Sequence, residues 1–450
     1  MTLLERIDAS KMSGYQWLII ALCVLLNAMD GFDVLAMAFT AGRVSDEFGL
    51  SGGELGLLLS AGLVGMAIGS LTLAPFADVI GRRPMILLSV GLATAGMLLS
   101  ATANSAFELG AWRVVTGLGI GGILACTNVI ASEYSSRRWR GMCISIYTAG
   151  YGIGATIGGA VAVTLQQHHG WRSVFIVGGL ATGVILILLA VLLPESVAYL
   201  VTKRPAGLLE RLNRIAKKIG QPATTSLPQP VLRTGTSSNT VSELFSPANR
   251  RSTGLIWAAF FAIMFGFYFA NSWTPTLLQT AGMTADQSVI GGMALTLGGT
   301  FGALLYGALT TKWNSKTVML IFVVLSAVSM ALFIWSVGIL ALAFILGALV
   351  GMLINGCVAG LYTLTPGLYP AQIRSTGSGW AIGVGRVGAI LAPMLAGNLL
   401  DAGWTAEMLY LGVGAVVLLA AAAVWGLRPQ HVSSGAAAPA PIEAEAATVR

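Results

Sequence analysis

Residues 17–41 read WLIIALCVLLNAMDGFDVLAMAFTA, an apolar stretch whose charged members are Asp30 and Asp33. A helix needs about 20 such residues to cross a bilayer. The whole chain has the same character: 56% of its residues are hydrophobic, 10% are charged and the mean hydropathy is +0.81. A soluble protein of 450 residues requires more polar surface than this. The sequence therefore predicts an all-α integral membrane protein.

Windows of about 20 apolar residues predict twelve transmembrane helices in two pseudo-symmetric six-helix halves. In the first half they cover 17–41, 55–76, 85–103, 107–131, 143–165 and 174–193. In the second half they cover 254–280, 289–310, 318–335, 339–363, 375–400 and 408–427. Similar loops follow the second helix of each half, at 78–83 and 311–316. Repeated halves of this kind are typical of transporters with a central binding site.

The polar segments divide the chain into four parts. The halves comprise residues 1–193 and 252–428, a linker of 194–251 joins them, and a tail of 429–450 follows. The linker is basic with a Pro/Ser/Thr-rich middle, and it is predicted to carry a short surface helix near 208–219. The tail is rich in Ala, Pro and Glu, a composition that predicts disorder.

Basic residues concentrate on one side of the predicted membrane. The loops after even-numbered helices and the linker hold most of them, whereas the opposite loops are acidic and contain only Arg43 and Arg172. The positive-inside rule then predicts that the linker and both termini are cytoplasmic. The net charge of +7 is therefore accounted for by basic residues that orient the chain in the lipid bilayer. Nucleic acid is not an expected partner. The four cysteines have no framework spacing, so neither a disulfide nor a metal site is predicted.

Four charged residues lie deep inside predicted helices: Asp30, Asp33, Arg113 and Arg386. A charge at the bilayer centre costs at least ~2.5 kcal/mol, so each is a candidate functional residue. Asp30 and Asp33 are three residues apart and share a helix face. Asp33 and Arg113 lie at similar depth, ~9–12 Å from the outer ends of their helices, which predicts that they pair. The alternative is that these charges only neutralise one another and hold helices together.

Several motifs resemble those of the major facilitator superfamily, over nearly all of residues 15–428. The loop from Asp78 to Arg83 is similar to the superfamily's signature loop, although Val79 stands where a basic residue is common. The run Arg113-x-x-x-Gly117-x-Gly119-x-Gly121 resembles its fourth-helix motif, and 194–196 (PES) resembles a common element after helix 6. The resemblance implies a charge network that closes the cytoplasmic gate. Its candidate members are Asp78, Gly81, Arg82, Arg83, Glu133 and Arg140.

The sharper resemblance is Asp30-Gly31-Phe32-Asp33, which is similar to the first-helix signature of the aromatic acid:proton symporter family. Members of that family take up benzoate-like and hydroxybenzoate-like acids. The resemblance implies that this chain binds a small aromatic acid anion together with a proton, and we expect it to do so as a monomer.

The residues suggest how such a site would work. A carboxylate in a low-dielectric cavity is disfavoured and a nearby Arg stabilises it, so a substrate carboxylate that competes for the Arg favours protonation of the Asp. We expect Asp30 to be the main proton carrier, Asp33 its partner or a second carrier, and Arg386 the carboxylate anchor, because its fork of donors matches a carboxylate. Arg113 is expected to organise the outer gate. Further candidate substrate contacts at mid-depth are Asn355, Tyr151, Tyr268 and Trp380.

Two other functions stay open. The first is export of drugs or metabolites, which the acidic pair on the first helix and the missing Gly-Pro in the fifth disfavour. The second is a membrane sensor of aromatic acids that does not transport, which the absence of an output domain in the linker disfavours. The chain shows no nucleophile arrangement, nucleotide-binding loop or cofactor motif. It is therefore not predicted to be an enzyme or to use a cofactor.

Overall fold

A computed structural model describes residues 2–224, 240–336, 338–369 and 373–427. The predicted tail 429–450 lies outside these residues, as does the middle of the linker. The helices in chain order are α1 Leu3–Ala9, α2 Gly14–Phe48, α3 Gly52–Ile80, α4 Arg82–Ser100, α5 Ala106–Glu133, α6 Arg140–His169, α7 Arg172–Leu192, α8 Val197–Lys203, α9 Leu208–Lys218, α10 Thr240–Leu244, α11 Arg250–Thr280, α12 Ala285–Thr310, α13 Ser315–Trp335, α14 Leu340–Leu364, α15 Arg374–Asp401 and α16 Ala406–Gly426. A 3-10 turn, Thr365–Leu368, follows α14.

Among the described residues, 12 helices are long and apolar enough to span a membrane, namely α2–α7 and α11–α16. This confirms the predicted multi-pass fold. The helices extend beyond the apolar runs because polar caps complete their ends. Ser13 and Gln16 form a capping box before α2, and Gly49 ends that helix in the left-handed conformation with φ 63°.

Short helices cover one side of the bundle, which we call the linker side. α9 confirms the predicted surface helix near 208–219 and buries Leu208, Leu212 and Ile215 against the first half. The unpredicted α1 buries Leu3 and Ile7 in the same cluster. α10 belongs to the second half, where the main-chain oxygen of Leu244 accepts a hydrogen bond from the Thr253 hydroxyl at 3.0 Å.

The two halves meet through α3 with α15 and through α6 with α12. On the side opposite the linker, the Asp401 carboxylate at the end of α15 accepts hydrogen bonds of 2.7 Å from the main-chain N–H groups of Gly52 and Gly53, at the start of α3. The second contact is an amide–carboxylate hydrogen bond of 2.7 Å from Gln167 on α6 to Asp286 on α12. Both contacts close the interface between the halves on the opposite side.

The contact between α3 and α15 is not uniform along α15. Gly379 and Gly397 lie on the same face of α15, because 18 residues complete about five helical turns. A methyl group added at Gly397 would come within 2.0 Å of the Gly52 main-chain oxygen, whereas one added at Gly379 would meet no atom of the described residues within 4 Å. The two helices are therefore in close contact on the opposite side, and the described residues show no such contact at Gly379 on the linker side.

Candidate functional site

The stretch Asp30–Asp33 lies midway along α2, and packing accounts for each of its residues. Gly31 faces α6 so closely that a methyl group there would come within 2.0 Å of the main-chain oxygen of Tyr151. Phe32 is buried against α6 and α7, where it contacts Gly158 and Gly178. The two acids are buried as well, at 5% and 4% exposure. The close α2–α6 approach therefore holds the two carboxylates at fixed positions inside the bundle.

The predicted Asp33–Arg113 pair is present. The guanidinium donates to the two carboxylate oxygens of Asp33 at 2.5 and 3.0 Å, and its second nitrogen also donates to the Asp33 main-chain oxygen at 2.9 Å. Both side chains are almost fully buried. The Arg113 guanidinium carbon also lies 5.7 Å from the centre of the Phe175 ring. The Asp33 carboxylate thus has a fully matched cation.

Asp30 has no such partner. Its Oδ1 is buried and accepts no hydrogen bond from the described residues. The charges that act on it are those of Arg386 and Asp33. Because a buried polar atom is normally hydrogen-bonded, an unsatisfied carboxylate oxygen at mid-depth is typical of a functional site.

Arg386 lies midway along α15 and faces Asp30 across the interface between the halves. Its guanidinium donates to the Tyr268 hydroxyl at 3.4 Å and approaches the sulfur of Met66 at 4.0 Å. Tyr151 lies on α6 against Gly31, the residue that follows Asp30 on α2. The Tyr151 hydroxyl is buried and has no hydrogen-bond partner in the described part of the chain. We call Asp30, Tyr151, Tyr268 and Arg386 the central cluster.

Tyr362 is a neighbour of this cluster that sequence reasoning missed. It packs edge-on against Phe260 with ring centres 5.8 Å apart, and Phe260 in turn lies against Gly385, the residue before Arg386. Tyr362 is 48% exposed. Its spacing from Asn355, seven residues or two helical turns on α14, is the signal that would have placed both on one helix face.

Two residues that were predicted to contact the substrate, Asn355 and Trp380, lie outside the central cluster. The Asn355 side-chain amide donates to the main-chain oxygen of Gly299 at 2.7 Å and ties α14 to α12. Trp380 lies six residues after the start of α15, ~9 Å along the axis and nearer to the linker side than Arg386 is. It stacks on Trp257 with ring centres 5.9 Å apart and is half exposed on the linker side. Substrate contact by either residue stays a prediction.

The predicted gate residues lie on the linker side, within the first half. Arg82 forms an ion pair with Glu133, and its second partner is the Ser196 hydroxyl at 2.9 Å. The Glu195 carboxylate accepts from the main-chain N–H groups of Arg82 and Arg83 at 2.9 and 3.1 Å. These contacts join the starts of α4 and α8 to the end of α5.

Three other members of the predicted network differ in their surroundings. Gly81, with φ 110°, leaves room for Glu195, whose carboxylate would meet an added methyl group at 2.4 Å. Arg140 pairs with Asp8 of α1, an element that sequence reasoning missed. The side chain of Asp78 lies outside the described residues.

Comparison with known proteins places this architecture. The family model of the Major Facilitator Superfamily matches residues 20–304 and 287–448. The chain belongs to the major facilitator superfamily. Its resemblance to the aromatic acid:proton symporter family is confirmed by relatives that cover nearly its whole length.

The relatives of this superfamily member are named transporters. It is 32% identical to the gallate transporter of Pseudomonas putida, over 93% of each chain. It is 33% identical to the 4-hydroxybenzoate transporter PcaK of Pseudomonas aeruginosa, over 93% of this chain and 94% of that one. It is also 33% identical to the 3-(3-hydroxy-phenyl)propionate transporter of Escherichia coli, over 92% of each chain. These relatives confirm that the chain is a transporter and not an enzyme.

Solved structures show the same fold. The xylose transporter XylE of Escherichia coli, in a partially occluded inward open conformation, superposes with a TM-score of 0.73 and 16% identity. The match covers 93% of this chain and 98% of XylE. At this identity the likeness shows the major facilitator fold alone.

Proposed function

We propose that the protein takes up a small aromatic carboxylic acid together with a proton, by alternating access, across the bacterial cytoplasmic membrane. The observation that carries the proposal is that Arg386 and Asp30, on opposite halves of the protein, each lack a close partner. Among the described residues, no carboxylate lies within 4.0 Å of Arg386, and no donor serves the Oδ1 of Asp30. A half-buried guanidinium with no carboxylate at ion-pair distance favours an anionic ligand.

The chemistry of the central cluster suits an aromatic acid. The planar fork of Arg386 can donate two parallel hydrogen bonds to one carboxylate. Tyr151, Tyr268 and Tyr362 supply ring faces beside that cation, and aromatic pairs contribute about 0.5–1.5 kcal/mol beyond area burial. The tyrosine hydroxyls offer donors and acceptors to ring substituents. The names of the relatives support this substrate class.

Substrate binding and proton binding are coupled because the substrate carboxylate and Asp30 compete for one cation, Arg386. In the free protein Arg386 partly compensates the charge of Asp30 from beyond ion-pair distance. When a substrate carboxylate binds Arg386, the positive charge of Arg386 acts on two carboxylates instead of one. The neutral, protonated form of Asp30 is then favoured. Binding of the anion then favours binding of the proton, and the reverse holds by linkage. Asp33 keeps its own cation, so we assign the moving proton to Asp30.

The positive-inside rule makes the linker side cytoplasmic. The described state is then inward-facing, with the central cluster open to the cytoplasm. We propose that the Arg82–Glu133 pair and its Glu195 and Ser196 partners form the first half's surface of the inner gate. A single chain contains the whole cluster, so the transporting unit we propose is the monomer.

The test is uptake by purified protein in liposomes, with a small panel of radiolabelled acids: benzoate, 4-hydroxybenzoate, 3-(3-hydroxyphenyl)propionate and a sugar control. An inwardly directed proton gradient should drive accumulation of at least one aromatic acid but not of the sugar. Accumulation only with the gradient reversed would identify an exporter. Binding of an aromatic acid with neither uptake nor counterflow would identify a sensor.

A further inference from the structure

A cleft lies at the interface between the halves on the side opposite the linker. It is bounded by α2 and α6 of the first half and by α11 and α12 of the second. It holds about 390 Å³ of empty space, part of it open to solvent, and Arg43, Gln166, Thr276, Gln279 and Asp286 contribute polar groups to its lining. The cleft therefore lies on the opposite side, where the two halves are in contact.

The two cations of the opposite side differ in their surroundings. Arg172 pairs with Glu47 at 2.7 Å, donates to the main-chain oxygen of Ala103 at 3.0 Å and lies 4.4 Å from the centre of the Trp171 ring. Arg43 is exposed at the cleft, and no carboxylate in the described ranges lies within 4.0 Å of it. In the same cleft the Thr276 hydroxyl is buried and bonded to nothing described. An unneutralised guanidinium beside an unsatisfied hydroxyl suits a carboxylate ligand.

The placement of Arg43 relates it to the central cluster. It lies on α2 ten residues beyond Asp33, ~15 Å along the helix axis. The same helix therefore bears a cation at the mouth of the route and the two acids at its centre. The surrounding surface is acidic, with exposed Asp46 and Glu407 and half-buried Glu108, and it repels anions.

We propose that Arg43 is the first binding site for the carboxylate of the incoming acid, with Thr276 as its hydrogen-bonding partner. This inference rests on the proposed uptake function. Asp286 in the same cleft, which accepts a hydrogen bond from Gln167, limits the affinity, so that the anion leaves for the central cluster when the halves separate. A site on a transport route must bind weakly enough to release its ligand.

Capture of this kind acts through the rate of encounter, which depends on charge and on ionic strength. Arg43→Gln should raise the KM for external benzoate by roughly three- to tenfold at low salt, with an unchanged maximal rate. The difference should shrink at ~1 M salt, where the Debye length falls to about 3 Å. Arg43→Lys should behave like the wild type, because attraction needs the charge and not the fork. Arg172→Gln, the control, should leave the KM and its salt dependence unchanged.

Benzoate binding from the linker side, measured by supplying benzoate to the cytoplasmic face of sealed inside-out membrane vesicles, should be equal in the wild type and in Arg43→Gln. If Arg43→Gln has the KM and the salt dependence of the wild type, Arg43 is not the first binding site. The proposed uptake function would be unaffected by that result. Weakened binding from the linker side would also overturn it, because Arg43 would then act on the central cluster. If the wild type takes up no aromatic acid, the proposed function itself fails and this inference fails with it.

Discussion

Arg113 holds both carboxylate oxygens of Asp33, at 2.5 and 3.0 Å, while Asp30, one turn away on the same helix, has an oxygen that no described group satisfies. The two acids of one short motif therefore have different surroundings. A carboxylate with a matched, buried guanidinium keeps its charge, whereas an unsatisfied one can exchange a proton. This difference underlies the predictions for Asp33→Asn, for Asp30→Asn and for the proton stoichiometry.

Asp33→Asn should destabilise the protein, because it leaves the Arg113 charge buried without a counterion, a change that costs about 3–5 kcal/mol. The double variant Asp33→Asn with Arg113→Gln should recover part of the lost Tm. Thermal unfolding in detergent, followed by tryptophan fluorescence, measures both. A single variant as stable as the wild type would show that the pair is not a structural requirement.

Asp30→Asn should abolish proton-driven accumulation of the acid, since the amide cannot carry the proton. Counterflow, which exchanges substrate without net proton movement, should persist. Asp46→Asn, at an exposed position near the end of the same helix, is the matched control and should accumulate substrate normally. Normal accumulation against a gradient by Asp30→Asn would remove Asp30 as the proton carrier.

Arg386→Lys should weaken substrate binding nearly as much as Arg386→Ala, because a point charge cannot reproduce the two-donor fork. Hydrogen bonds to charged groups contribute about 1.5–3 kcal/mol, so the Kd should rise roughly 10- to 100-fold. Arg374→Lys, at the exposed start of the same helix, serves as the control. Equilibrium binding of a labelled acid measures the effect, and a wild-type Kd in the Lys variant would make Arg386 a generic positive charge.

Asp401→Asn should favour the outward-facing state. It weakens the two hydrogen bonds of 2.7 Å by which the end of α15 closes against the start of α3. Gly397→Ala should have a larger effect, because its methyl group would come within 2.0 Å of the Gly52 main-chain oxygen. Distances between spin labels on the two halves measure the populations, with exposed Glu407→Gln as the control. An unchanged distance distribution in both variants would exclude this contact as a determinant of closure.

Transport of a monovalent acid should be electroneutral, with one proton per anion, because Asp33 is held by Arg113 and Asp30 alone is available. Proteoliposomes with no pH gradient and an inside-negative potassium diffusion potential should therefore show no concentrative uptake. The potential acts at about 2.3 kcal/mol per charge per 100 mV, so a second proton would give a clear signal. Strong uptake under these conditions would make Asp33 a second proton site.

The amino-acid sequence by itself determined the twelve spans, the two halves and the depth of each buried charge. A bilayer requires a minimum apolar length and penalises charge, and both constraints act along one dimension that a sequence displays directly. The Asp33–Arg113 pair was predictable for the same reason, since two helical rises sufficed to match depths. The distance of a residue along its helix axis can be counted directly from its position in the sequence.

Only the tertiary structure decided which way each side chain points and which half it meets. The depth of a residue in its helix could not reveal that Arg140 pairs with Asp8 of α1, or that Asn355 donates a hydrogen bond to the Gly299 main-chain oxygen. It also could not reveal that Tyr362 packs against Phe260, or that α3 and α15 touch at Gly397. These features depend on the rotation of each helix about its axis and on the angle between the halves. Both are set by contacts between residues far apart in the sequence, from 56 positions for Asn355 and Gly299 to 349 for Gly52 and Asp401, and no local pattern encodes their packing.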